Sequence, residues 1–596
     1  MSDNDPVVIV GLAIEAPGGV ETADDYWTLL SEQREGLGPF PTDRGWALRE
    51  LFDGSRRNGF KPIHNLGGFL SSATTFDPEF FRISPREATA MDPQQRVGLR
   101  VAWRTLENSG INPDDLAGHD VGCYVGASAL EYGPALTEFS HHSGHLITGT
   151  SLGVISGRIA YTLDLAGPAL TVDTSCSSAL AAFHTAVQAI RAGDCDLALA
   201  GGVCVMGTPG YFVEFSKQHA LSDDGHCRPY SAHASGTAWA EGAAMFLLQR
   251  RSRATADRRR VLAEVRASCL NSDGLSDGLT APSGDAQTRL LRRAIAQAAV
   301  VPADVGMVEG HGTATRLGDR TELRSLAASY GTAPAGRGPL LGSVKSNIGH
   351  AQAAAGGLGL VKVILAAQHA AIPPTLHVDE PSREIDWEKQ GLRLADKLTP
   401  WRAVDGWRTA AVSAFGMSGT NSHVIVSMPD TVSAPERGPS VGRCDGPQTA
   451  ARWAGCGFAQ RPCRGTDRAG RSGHRRLPRA LSGYDRDRSG SAAAQDPTGP
   501  SASGGASGRR PAGTRRGLAR AGRRTRASAH RAVVVGLGPA PGVRLSRPGW
   551  SLAGHGRRRL PRAADLSDRD RHVRRRICGR WCRLAAAIPD RPARNR

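Results

Sequence analysis

An α/β fold is predicted by three observations. β-prone and helix-prone runs alternate along the first 430 residues, as chains with strand–helix–strand units require. That stretch is long enough to bury a large core in more than one lobe. It also ends abruptly near residue 430, where Lys disappears and Arg, Gly, Pro, Ser and Ala take over, a mixture that cannot offset chain entropy by burial.

The polar, acidic start Met1-Ser2-Asp3-Asn4-Asp5 passes almost at once into a first strand over 7–12. This leaves no signal peptide and no room for a helical docking segment, and no apolar run reaches membrane length. A helix is expected over 94–109 and a strand over 121–126. A strand over 171–174 runs into a helix over 179–192. Strands over 197–203, 243–248 and 261–267 precede a helix over 286–299. Strands over 305–309 and 340–344 each lead into a loop carrying a histidine. A helix over 357–369 and strands over 410–414 and 424–427 complete the order. Cys123, Cys195, Cys204 and Cys269 fall in apolar β-like runs, as small core residues in a reducing cytoplasm would.

The candidate nucleophile is Cys176, in Val172-Asp173-Thr174-Ser175-Cys176-Ser177-Ser178 at the junction of a strand and a helix. A thiol there faces the positive end of a helix dipole and free backbone N–H groups. That setting lowers a cysteine pKa and exposes the sulfur, and it parallels the strained serine elbow of hydrolases. A lone cysteine is equally compatible with a structural core residue. Two histidines shift the balance. Val308-Glu309-Gly310-His311-Gly312-Thr313 and Gly342-Ser343-Val344-Lys345-Ser346-Asn347-Ile348-Gly349-His350 both read as strand, tight turn, then His among small residues. Small neighbours let backbone and substrate approach closely. Cys227 beside His226 has the look of half a metal site, but it lacks partners at ligand spacing, so no metal is expected. Gly201-Gly202 is not followed by Lys-Ser/Thr and is not a phosphate loop.

Taken in order, these motifs resemble the β-ketoacyl synthase family, and most closely the ketosynthase domains of modular type I polyketide synthases. Pro6–Gly11, Gly38-Pro39-Phe40-Pro41-Thr42-Asp43-Arg44-Gly45-Trp46, Met91-Asp92-Pro93-Gln94-Gln95-Arg96, Asn271-Ser272-Asp273-Gly274 and Phe415-Gly416-Met417-Ser418-Gly419-Thr420-Asn421 carry the resemblance across residues 5–430. It implies the thiolase fold, with duplicated βαβ halves in five layers lying roughly at 1–255 and 256–430. It also implies acyl transfer from a carrier-protein thioester to Cys176, then decarboxylative Claisen condensation with a malonyl-type extender. His311 and His350 would stabilise the enolate, Lys345 would pair with Glu322 to orient the histidine loops, and the N–H groups of Cys176 and Met417 would form the oxyanion hole, with Met417 as a gate. The resemblance further implies a homodimer and no directly bound cofactor. Substrates would ride on the phosphopantetheine of acyl carrier protein, with an acyltransferase in cis or in trans. Ser175 stands where Ala is common, Ala314 where Gly is common, and Arg320-Thr321 where Pro-Ile is common; the last change threatens the loop expected to carry Glu322.

Residues 431–596 hold 37 Arg, no Lys, nine Asp and one Glu, a net charge of +27; the whole chain carries +18, so residues 1–430 carry −9. Nonspecific nucleic-acid binding by such a tail is the disfavoured reading. The preferred one is a low-complexity basic tail produced by a shifted reading frame of a linker and the start of an acyltransferase. The rival functions are an inactive or truncated module remnant serving as an acyl-binding scaffold, and a ketoacyl synthase with a CoA-linked starter. A thiolase would replace one of the Cys-His-His groups by a second cysteine, and a decarboxylase-only loading domain would carry Gln at position 176.

Overall fold

The computed structural model describes residues 5–138 and 144–430; the expectations for residues 431–596 lie outside the described residues. All ten strands and four helices expected from the sequence are present, with shifted ends. The strands are β1 (Val7–Glu15), β2 (Val121–Gly126), β3 (Ala169–Val172), β4 (Leu197–Cys204), β5 (Gly242–Arg250), β6 (Ala263–Ser272), β7 (Val305–Glu309), β8 (Leu340–Gly342), β9 (Ala371–Ile372), β10 (Arg393–Leu394), β11 (Thr399–Pro400), β12 (Trp407–Phe415) and β13 (Thr420–Pro429).

Eleven strands join in the order β10-β8-β7-β12-β13-β6-β1-β5-β4-β2-β3, while β9 and β11 pair separately. This order contains a duplication. In one half β3-β2-β4-β5-β1 pair as parallel, parallel, antiparallel, antiparallel. In the other, β8-β7-β12-β13-β6 pair in the same sequence of senses. The halves meet at β1 and β6 through only two residue pairs, Val8 with Glu264 and Ile9 with Ala263.

The helices repeat the symmetry. Pro93–Asn108 packs on β1 and β5, and Gly284–Ala298 packs on the corresponding β6 and β13. Ser178–Ala192, after β3, and Ala355–Gln368, after β8, pack on each other and on strands of both halves. Residues 5–430 therefore form five layers: outer helix, half-sheet, paired inner helices, half-sheet, outer helix. The inner position explains the composition of Ala355–Gln368, which is apolar almost all round and buried along its length. Its Gly356 is required by the approach of the two inner helices, since a Cβ there would lie 2.6 Å from Leu180 Cγ. Its one charged residue, Lys362, is fully buried and lies 2.8 Å from the Glu309 carboxylate at the end of β7.

Candidate active site

The duplication places the reacting groups. Cys176 precedes one inner helix and His350 precedes the other, while His311 follows β7, the strand next to β12. Cys176, His311 and His350 all line one pocket of about 240 Å³, together with Trp239, Phe415 and Met417. The turn carrying the sulfur is strained: Ser175 has φ +58°, a left-handed conformation that costs a non-glycine residue about 1 kcal/mol or more. Local hydrogen bonds hold it there. The Ser175 N–H donates to Asp173 Oδ1 (2.9 Å), the Thr174 N–H to Ser178 Oγ (2.9 Å), and the Ser178 hydroxyl to the Ser175 carbonyl (2.6 Å). Ser128 adds a further donor to Asp173 Oδ1 (2.9 Å). Over the sulfur, Gly416 comes so near the Thr174 carbonyl that a Cβ there would sit 2.1 Å from it, and the Ser418 hydroxyl donates to the same oxygen (3.1 Å).

The lowered thiol pKa expected from the helix end is not found. Burial pushes Cys176 up to about 11, against the opposing pull of Lys345 and of the backbone N–H groups of Met417 and Cys176 itself. Desolvation outweighs these favourable contacts, and among the described residues no ion pair reaches the thiol. Both N–H groups expected of an oxyanion hole do face the sulfur. Met417, 42% exposed, stands at the pocket mouth.

The two imidazoles are locked in the same sense. The N–H of Gln352 donates to His350 Nδ1 (3.1 Å) and that of Phe415 to His311 Nδ1 (3.4 Å). A neutral imidazole accepting at Nδ1 carries its proton on Nε2. Burial, reinforced by the charge of Lys345, holds both well below the usual imidazole range, so both are neutral at pH 7. Their rings lie 5.5 Å apart at 88°. The backbone of His350 is pinned on both sides, its N–H donating to the Ala238 carbonyl (2.7 Å) and its carbonyl accepting from Ala240 (2.9 Å).

Glu322 does orient His311, by a route other than the expected pairing. It lies on the helix Arg316–Ala327 rather than on a loop, and accepts from the N–H groups of His311 (2.6 Å) and Gly312 (2.8 Å) and from the Tyr230 hydroxyl (3.0 Å). Lys345 is buried in the one-turn helix Lys345–Ile348 and feels the charges of Glu309 and Glu322, but among the described residues no ion pair joins it to either. Arg320 is exposed on the outer face of the Glu322 helix, 3.4 Å from Glu384, so its presence leaves Glu322 in place. Ala314 has φ +60°, which explains why Gly is favoured there.

Sequence reading missed Tyr230 and Asp319. Asp319 lies one turn before Glu322 on the same helix face and accepts from the N–H groups of Ala314 (3.0 Å) and Tyr230 (2.8 Å). Its spacing of three from Glu322 is a legible signal; nothing local marks Tyr230. Cys227, expected not to form a metal half-site with His226, donates its thiol to the Thr313 carbonyl (3.5 Å).

A thiol on a strained elbow between two N–H donors, facing two Nε2–H imidazoles across a pocket, defines a thiolase-fold condensing enzyme. The chain matches the family models "Beta-ketoacyl synthase, N-terminal domain" over residues 4–254 and "Beta-ketoacyl synthase, C-terminal domain" over 262–379. It is 49% identical over 441 residues to polyketide synthase GfsB of Streptomyces halstedii, covering 74% of this chain and 8% of that protein. To pikromycin polyketide synthase component PikAII of Streptomyces venezuelae it is 48% identical over 445 residues, covering 74% and 12%. Among solved structures, the ketosynthase from module 6 of the bacillaene synthase of Bacillus subtilis 168 superposes with a TM-score of 0.65 at 35% identity, covering 71% of this chain and 72% of that one. The oxazolomycin ketosynthase domain OzmH KS7 of Streptomyces albus JA3453 gives 0.66 at 38% identity, covering 71% and 76%. The chain belongs to the β-ketoacyl synthase family, whose members are acyltransferases. It spans only about a tenth of the length of the curated relatives it matches.

Proposed function

We propose that the chain is a chain-elongating β-ketoacyl synthase of polyketide assembly. The observation that carries this reading is the shared tautomer of His311 and His350, two neutral Nε2–H donors lining the pocket that holds Cys176. The Cys176 sulfur attacks the carbonyl carbon of an acyl thioester borne by a carrier protein. The tetrahedral oxyanion is held by the N–H groups of Cys176 and Met417, and the carrier's thiol leaves. A malonyl-type thioester then enters. As its carboxylate leaves as CO2, the electron pair of the broken C–C bond becomes an enolate, whose oxygen accepts from both Nε2–H groups. The enolate carbon attacks the acyl-Cys carbonyl, forming the new C–C bond and releasing the cysteine thiolate. Since both Nε2 atoms carry protons, neither imidazole accepts the thiol proton in this state: it passes to solvent before attack, Lys345 and the two N–H groups stabilise the thiolate, and the carrier sulfur, expelled as a thiolate, takes a proton back from solvent.

No directly bound cofactor is needed in this scheme: the partners are acyl carrier protein, with its phosphopantetheine arm, and an acyltransferase in cis or in trans. We further infer a homodimer, because the sheet ends at β3 in an exposed edge strand. A cytoplasmic setting fits the six free cysteines among the described residues, where no helix is long and apolar enough to cross a membrane.

Intact-mass analysis after incubation with a simple acyl thioester tests the reading. A single-acyl mass gain that is lost in Cys176→Ala is expected. No gain in folded wild-type protein would move the assignment to an inactive module remnant.

A further inference from the structure

Three loops meet outside the catalytic pocket. One follows the helix Ala23–Ser31, one precedes Tyr230 and one follows β9. There His226 Nδ1 lies 2.9 Å and His377 Nε2 2.6 Å from the same oxygen, Oε1 of Glu35. The rings are 5.1 Å apart, and the three ligand-capable atoms all lie within 4.8 Å of one another. We propose that Glu35, His226 and His377 bind a divalent transition-metal ion of the Zn²⁺ type, with water completing the coordination.

Five features argue for an ion rather than a plain hydrogen-bonded cluster. Two imidazoles satisfying a carboxylate can take one oxygen each; here both aim at Oε1, and among the described residues no hydrogen bond reaches Oε2, so it can complete a ligand set. Two imidazoles and one carboxylate form a donor set suited to zinc and its neighbours. His377 is held at φ +62°, a strained conformation that turns its ring into the cluster. Arg228, whose charge reaches Glu35, is held within its own loop by a bidentate pair with Asp224 (2.7 and 2.7 Å) and does not occupy the cluster. All three side chains are 25–29% exposed, which leaves an ion a way in.

The site would brace the catalytic loops from behind. The Gly36 N–H donates to the Asn347 carbonyl (2.7 Å), and Asn347 Nδ2 donates to the Arg34 carbonyl (3.1 Å). The Leu376 N–H donates to Ser346 Oγ (2.9 Å), and Cys227 reaches Thr313. Each ligand is thus one residue from a bond to the turn between Lys345 and His350 or to the loop after His311.

The test uses the full chain, stripped with a chelator and titrated calorimetrically with zinc chloride alone, beside Glu35→Gln and the double variant His226→Ala/His377→Ala. One saturable equivalent is expected in wild type, weakened at least about tenfold in both variants. Cobalt substitution should give visible ligand-field bands without a thiolate charge-transfer band. No saturable equivalent, undiminished binding in the variants, or a thiolate band would overturn the proposal. Should the double variant fail to fold, the wild-type cobalt spectrum and Glu35→Gln decide it.

Discussion

At the scale of single residues, the thiol is the point where sequence and structure part. Position in the chain identifies Cys176, but its acidity depends on how much water the folded pocket excludes, and that is set by Phe415, Met417 and Trp239 brought from elsewhere. With a pKa near 11, the thiolate fraction at neutral pH is small and rises about tenfold per pH unit. Alkylation of Cys176 by iodoacetamide, followed by peptide mass analysis, should therefore accelerate about tenfold per unit from pH 7 to 9 without a plateau; a plateau below pH 8 would mean that the N–H groups and Lys345 win over burial. Tyr230 makes a second case. Its hydroxyl is one of three donors to buried Glu322, and Tyr230→Phe removes it without changing shape. A loss of about 2 kcal/mol in stability is expected, as for a hydrogen bond to a charged group. Condensation should slow while Cys176 acylation is kept, because Glu322 holds the His311 loop and not the sulfur. Equal slowing of both steps would contradict that division.

At the scale of elements, period and turn signals locate strands and helices but cannot say which ones meet. The first strand and the helices after β3 and β8 are legible because each is apolar and bounded by small residues. The matching strand order of the two halves is not, since β1 and β6, or β4 and β12, share geometry and hardly any sequence. The same limit hides the contact of β7 with the inner helix Ala355–Gln368. Lys362 reads as a lone charge in an apolar helix and Glu309 as the end of a strand, 53 positions away; only the fold makes them a buried pair at 2.8 Å. Glu309 also accepts from the Val344 N–H (2.6 Å), so the pair ties β7 to the segment leading into Lys345. Removing one partner strands a charge in the core. Lys362→Met should cost about 3–5 kcal/mol, whereas Glu309→Gln/Lys362→Met should recover most of that loss. Chemical denaturation of the three proteins measures it, and a double variant as unstable as the single one would show that the pair is worth more than its desolvation.

At the scale of the whole molecule, the sheet has two ends that differ in kind. One end is β10, two residues long and carrying Arg393, a short and charged edge of the sort that resists pairing. The other is β3, whose Ala169 and Leu170 are exposed, with Leu170 at 48%. The helix Val154–Thr162 packs beside it and presents Tyr161 at 86% exposure. An apolar edge strand flanked by an exposed aromatic is a template for a second chain. A two-fold axis beside β3 would pair it with its own copy, the self-complementary contact that closed dimers use. The contact would lie close to the catalytic turn, because β3 ends at Val172 and Cys176 follows four residues later. Light scattering on the full chain should therefore give twice the 62.8 kDa monomer mass, and Leu170→Asp should reduce it to the monomer. Because the strand leads directly into the elbow held by Asp173 and Ser178, the monomeric variant should also acylate Cys176 more slowly while its helical signal is unchanged. A wild-type monomer, or a dimer indifferent to Leu170→Asp, would leave the β3 edge without a partner and place any association elsewhere on the surface.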